Sequence, residues 1–111
     1  VSHCCHAAEC AHAVPPRMLM CRRHWRLVPA QLQRAVWRAY VPGQEWRKDP
    51  TPLYLLVQRL AVGVVALSEG TWSAEHAQYE QRRAHELWSD RLGEEEAALY
   101  RGLLTDLLED A

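Results

Sequence analysis

The chain contains no phenylalanine, no isoleucine and no asparagine, and Lys48 is its only lysine. Those residues use AT-rich codons, so their scarcity points to a GC-rich gene and a bacterial or phage source, and says nothing about chemistry. The missing asparagine removes an HNH-type nuclease. There is no HExxH helix, no phosphate-binding loop and no dinucleotide glycine pattern. His6-x-x-Glu9 misses the H-x-E spacing of zinc deaminases, and no P-C-x-x-C follows it. No catalytic set is assembled, and the expectation is a protein that is not an enzyme. Long apolar runs are also lacking. The most apolar stretch, residues 53–67, is interrupted by Gln58 and Arg59 and is shorter than the ~20 residues of a membrane span. No secretory signal is visible. The expectation is a cytoplasmic protein of a bacterium or a phage-infected cell.

Net charge is nearly absent, at −1 over 111 residues, but its distribution is uneven. Residues 1–48 carry seven arginines and Lys48 against Glu9 and Glu45, a balance of +6, whereas residues 49–111 stand at −7. A basic half precedes an acidic one.

All four cysteines and four of the six histidines lie in the first 24 residues. Cys5, Cys10, Cys21 and His24 read C-x4-C-x10-C-x2-H. Three thiolates and one imidazole saturate a tetrahedral zinc ion and leave no position for water, which marks a structural site. Two disulfides are the competing use of four cysteines; adjacent Cys4 and Cys5 would crowd both bridges into a small loop, and the neighbouring histidines favour metal. An iron–sulfur cluster or free thiols are further alternatives. Ligand identity stays open at this level, because Cys4 can replace Cys5, and His3, His6 or His12 can replace His24. The spacing differs from that of a C2H2 finger.

Along the chain, Pro15-Pro16 excludes a regular helix near the start. Cys21-x2-His24 suits a knuckle or the first turn of a helix. Pro29 opens a helix continuing through Ala30–Tyr40, with Val28, Leu32, Val36 and Tyr40 inward and Gln31, Arg34 and Arg38 outward. Residues 43–52 read as a polar connection. Thr51-Pro52 is a cap and first-turn pair for a core helix over 52–68 that ends at Gly70, its apolar face built from Leu53, Leu56, Val57, Leu60, Val64 and Leu67. Gly63 within it permits a close helix contact. Ser73 caps a polar helix over 74–91, for which Tyr79, Ala84, Leu87 and Trp88 are available for packing. Glu94–Glu96 complement the start of a last helix carrying Ala97, Tyr100, Leu103, Leu104, Leu107 and Leu108. The fold expected is mainly α: one domain over 1–111, with an irregular zinc knuckle at 4–28 and a bundle of about four helices at 29–111.

The N-terminal part resembles a family of small bacterial, phage and mobile-element proteins with the pattern CHAxxC…VPPRM-x-MC-x2-HW…P-x2-L-x3-W-x2-Y-x-PGQ. The matching residues are Cys5-His6-Ala7, Cys10, Val14–Met18, Met20-Cys21, His24-Trp25, Pro29, Leu32, Trp37, Tyr40 and Pro42–Gln44. The likeness covers about residues 4–69. It implies the ligand set Cys5, Cys10, Cys21 and His24, and it implies no activity.

Two surfaces follow. Arg22, Arg23 and Arg26 surround the second ligand pair and Arg34 and Arg38 continue along the next helix, a basic face suited to phosphates, with Trp25, Trp37 or Trp46 available to stack on bases. A nucleic acid or a nucleic-acid-associated protein is the expected partner. The alternative is an inhibitor or adaptor that binds a basic protein through Glu75, Glu80, Glu86 and Asp90. A homodimer, through the opposite charge of the halves or the last helix's leucines, is a third expectation.

Overall fold

Thr51 and Pro52 set the central element. The Thr51 hydroxyl accepts the Tyr54 backbone N–H at 3.1 Å, and Pro52 fills the first helical position, where a missing N–H costs nothing. The resulting helix, α4, runs Pro52–Glu69. It stops at Gly70, whose φ of 75° places it in the left-handed region, and the Thr71 N–H folds back onto the Ala66 carbonyl at 2.9 Å. The computed structural model describes residues 3–109. Before α4 come α1 (Arg22–Trp25), α2 (Ala30–Ala39) and α3 (Gln44–Arg47). After it come α5 (Ala74–Trp88), a 3-10 turn (Ser89–Arg91) and α6 (Glu94–Leu104), which ends in a π turn (Thr105–Glu109). Four helices of ten or more residues form the body, as the sequence implied, and two single turns accompany them. Among the described residues there is no strand, only an isolated antiparallel bridge between Cys4 and Ala13.

α4 packs against α2, α5 and α6. Leu56, Val57, Leu60, Ala61 and Val65 have no solvent exposure, and each fully buried large aliphatic side chain is worth about 1.5–3 kcal/mol. Leu32 and Val36 from α2, and Tyr100 and Leu103 from α6, close around them. The radius of gyration, 13.3 Å, matches the ~13 Å of a chain of about this length packed as one body. The leucine stripe of α6 turns inward, with Leu103 and Leu108 buried and Leu104 and Leu107 half-buried.

Three local expectations change. Tyr79 and Leu87 do not enter the core; they are exposed at 47% and 60%. The buried side of α5 is made by Ala77 and Gln81 instead. A Cβ placed on Gly63 would lie 3.8 Å from the Ala77 Cβ, so the two helices approach where only small residues meet. Gln81 is buried with its polarity satisfied, because Nε2 donates to the Leu56 carbonyl at 3.2 Å and to the Tyr100 hydroxyl at 2.8 Å. Val64 and Leu67 are only half-buried, while Ala61, Val62, Val65 and Ala66 are enclosed. Finally, the connection at 43–52 holds α3, started by Gly43 at φ 89° and closed by Lys48 at φ 58°. Buried Gln44 pins it by accepting the Val41 N–H at 2.9 Å.

The N-terminal arm lies on this body. Cys5 N–H donates to the His12 carbonyl at 2.8 Å and Val14 N–H to the His3 carbonyl at 2.9 Å. Between them the chain reverses in a turn closed by Cys10 N–H on the Ala7 carbonyl, 3.1 Å, with Glu9 in the left-handed region at φ 63°. The arm is fastened by His6 N–H on the Leu19 carbonyl at 3.0 Å. Leu19 and Met20 are buried beneath it, while Pro15, Pro16 and Arg17 before them are exposed.

Candidate metal centre

The reversal at Ala7–Cys10 brings Cys10 back beside Cys5, and α1 brings Cys21 and His24 together from one helical turn. One donor atom from each of Cys5, Cys10, Cys21 and His24 lies within 4.8 Å of every other. A tetrahedral zinc with sulfur at 2.3 Å and nitrogen near 2.05 Å needs sulfur–nitrogen edges of about 3.6 Å and sulfur–sulfur edges of about 3.8 Å. The His24 Nδ1 stands 3.6 Å from the Cys5 Sγ and 3.2 Å from the Cys21 Sγ. The donor set and its spacing therefore fit an ion of this size after shifts of a few tenths of an ångström up to about 1 Å. Cys5, Cys21 and His24 are buried and Cys10 is half-buried. All four thiols are free.

The thiols differ in acidity. Burial pushes Cys5 up to about 11. Burial acts on Cys21 in the same sense, but the backbone N–H and ring of His24, with Cys5 and Cys10, outweigh it and bring that thiol down to about 7. Metal uptake must therefore displace a proton from Cys5.

The alternative ligands lie elsewhere. Cys4 is exposed. The rings of His3 and His6 bond to the Met18 and Leu19 carbonyls at 3.0 and 3.1 Å. His12 is exposed and lines a neighbouring cleft.

One residue of the centre was not found from the sequence. His24 turns Nε2 away from the thiols and toward Glu69 Oε1, 2.8 Å away. Were Nδ1 to bind a metal, Nε2 would carry the proton and donate to this carboxylate, the arrangement that fixes a metal-binding imidazole. The other oxygen, Oε2, accepts from Arg23 at 2.7 Å. Glu69 is the last residue of α4, where a negative charge faces the negative end of the helix dipole. That misplacement is the only sequence signal it carries.

Of the five arginines assigned to binding, Arg23 is thus committed to Glu69. Arg22, Arg26, Arg34 and Arg38 are exposed, and no ion pair among the described residues engages them. Cys10, His12, Cys21, Arg22, Arg23 and Arg26 line an open cleft of about 430 Å³. Trp25 is half-buried and meets Trp37 edge-on, ring centres 6.4 Å apart. The row continues from Trp37 to Tyr40 at 5.6 Å and from Tyr40 to Tyr54 at 6.3 Å. The Tyr40 hydroxyl donates to the Glu45 carboxylate at 2.7 Å.

The acidic candidates are less uniform. Glu75, Glu86 and Asp90 are exposed, whereas Glu80 is half-buried and 4.0 Å from Arg59. Arg82 and Arg83 interrupt them on α5, so that helix presents mixed charge. No family model, curated protein or solved structure matches the chain.

Proposed function

We propose that the protein is a structural-zinc module that binds nucleic acid through its basic N-terminal half. The three thiolates and one imidazole would close the coordination shell of zinc, giving a scaffold rather than a reactive metal. The ion would hold the arm and α1 against the end of α4 and so fix where Arg22, Arg23 and Arg26 stand. The observation that carries the reading is the exposure of Arg22, Arg26, Arg34 and Arg38 without any acidic partner. Guanidiniums left in this state on a chain of net charge −1 are available to displace counterions from phosphates.

The test is fluorescence anisotropy of the zinc-loaded chain with labelled DNA and RNA across a salt series. Affinity should fall steeply with salt, and the pair Arg34→Glu and Arg38→Glu should abolish binding, while Glu80→Gln and Glu86→Gln should leave it unchanged. No binding at low salt would sink the proposal and direct attention to the acidic helices as a protein-recognition surface.

A further inference from the structure

Among the described residues six large apolar side chains are exposed, and four of them, Leu27, Trp37, Val41 and Trp46, fall between residues 27 and 46. That segment also carries Arg34 and Arg38. Isolated exposed apolar residues need no explanation, but a group of them beside unpaired cations is informative. On α2 the buried residues are Leu32, Ala35, Val36 and Ala39. Arg34, Trp37 and Arg38, spaced i, i+3, i+4, occupy the opposite side.

Trp37 is 44% exposed although it is held on two sides, edge-on to Trp25 and to Tyr40 with interplanar angles of 77° and 81°. It is therefore an anchored indole that retains free surface on the arginine-bearing side of α2. Anchoring before contact reduces the entropy lost on binding. Trp25, its neighbour, is the last residue of α1, and Arg22 and Arg26 reach from that same turn into the cleft beside the metal centre.

We infer that the nucleic acid recognised is single-stranded, with Trp37 stacking on a base while Arg22 and Arg26 seat the adjoining phosphates in the cleft. The inference rests on the nucleic-acid reading above and narrows it. In a duplex the base faces are covered by their neighbours, so an exposed indole near arginines gains nothing from them. An unpaired strand offers a free face at every nucleotide, and stacking of this kind tolerates any sequence. Arg34 and Arg38, on the same exposed side of α2, would meet the backbone next to the stacked base.

The experiment uses the zinc-loaded full chain, labelled oligothymidine, oligouridine and a blunt DNA duplex at one low salt concentration. The single strands should bind at least tenfold more tightly than the duplex. Trp37→Ala should weaken single-strand binding about 5- to 150-fold, the range for one base on an aromatic ring, and Trp37→Phe should recover most of it. Arg22→Gln with Arg26→Gln should weaken all three probes and flatten the salt dependence. Because Trp37 also touches Trp25 and Tyr40, a second readout spares the fold: oligothymidine should quench the parent's tryptophan fluorescence, and that quenching should shrink in Trp37→Phe. Equal or tighter duplex binding, or unchanged binding and quenching in the Trp37 variants, overturns this inference and leaves the nucleic-acid reading standing. Absence of binding by the parent to all three probes overturns both.

Discussion

Replacing Glu69 by glutamine isolates the carboxylate behind His24. The substitution keeps an oxygen able to accept from His24 Nε2, now 2.8 Å away, and removes only the charge. That charge strengthens the imidazole as a donor to the metal, and loss of such a partner typically lowers metal affinity 10- to 100-fold, about 1.4–2.7 kcal/mol at 1.36 kcal/mol per decade. The metal-free chain should respond differently. There Glu69 opposes the dipole at the end of α4, which costs about 0.3–1 kcal/mol. Its bridge to Arg23, whose side chain is 75% exposed, returns a similar amount at most after solvent screening. Glu69→Gln should therefore be close to neutral without zinc and destabilising with it. Competition against a chromophoric chelator gives the affinity, and thermal unfolding with and without zinc gives the two stabilities. Cobalt absorption should keep a tetrahedral signature, showing that the ligands themselves are unchanged. Arg23→Ala is the control, with affinity altered less than about fivefold because an exposed pair is worth at most ~1 kcal/mol. A Glu69→Gln protein that binds zinc within twofold of the parent would refute the assigned role. Equal destabilisation in both states would recast Glu69 as a packing residue.

Cys10→Ser should abolish stoichiometric zinc binding, whereas Cys4→Ser should leave one tightly bound ion, as read by elemental analysis after gel filtration. With the Cys5 thiol held near 11, this ligand is protonated in the metal-free chain at neutral pH. Apparent zinc affinity should then rise at least tenfold from pH 7 to pH 8 and be lost on acidification; a smaller rise in the chelator competition contradicts the assignment. Gly63→Ala places a methyl group at ordinary contact distance, 3.8 Å from the Ala77 Cβ, and restores helix propensity. It should stabilise the protein by about 0.5–1 kcal/mol, seen as a rise of several degrees in Tm, and a fall in Tm would show that α4 and α5 are closer than described.

Where local chemistry was explicit, the sequence was readable. Thr51-Pro52 and Gly70 bounded α4, Ser73 capped α5 through its hydroxyl on the His76 N–H, and Glu96 reached back to the Gly93 N–H to start α6. That cysteines and a histidine of the first 24 residues cluster also followed from spacing, although spacing left Cys4, His3, His6 and His12 open as ligands until the fold set Cys5, Cys10, Cys21 and His24 together. What escaped depended on partners distant in sequence. α5 is polar on nearly every side, so its buried face could not be read from periodicity. Its orientation is set by the narrow approach at Gly63, which admits Ala77, and by two acceptors that receive Gln81. α3 has one turn and no period, and Pro42-Gly43 reads as a stop although Gly43 serves as its start. Glu69 was not identifiable because its partner precedes it by 45 residues.

That separation has a consequence for the order of folding. The four donors span only residues 5–24, while the bond that ties them to the body reaches from His24 to Glu69. Closing a loop of 45 residues rather than 20 costs about 0.7 kcal/mol more in chain entropy, and it also requires α4 to exist. Metal capture by the arm can thus precede assembly of the helices, and docking onto the finished end of α4 follows as a later, slower event. A zinc-loaded protein would have the reverse path: the arm would detach and surrender the ion while α4, α5 and α6 stay folded. Amide hydrogens of the arm should then exchange at a rate set by free zinc, and those in the middle of α4 at a rate set by global unfolding.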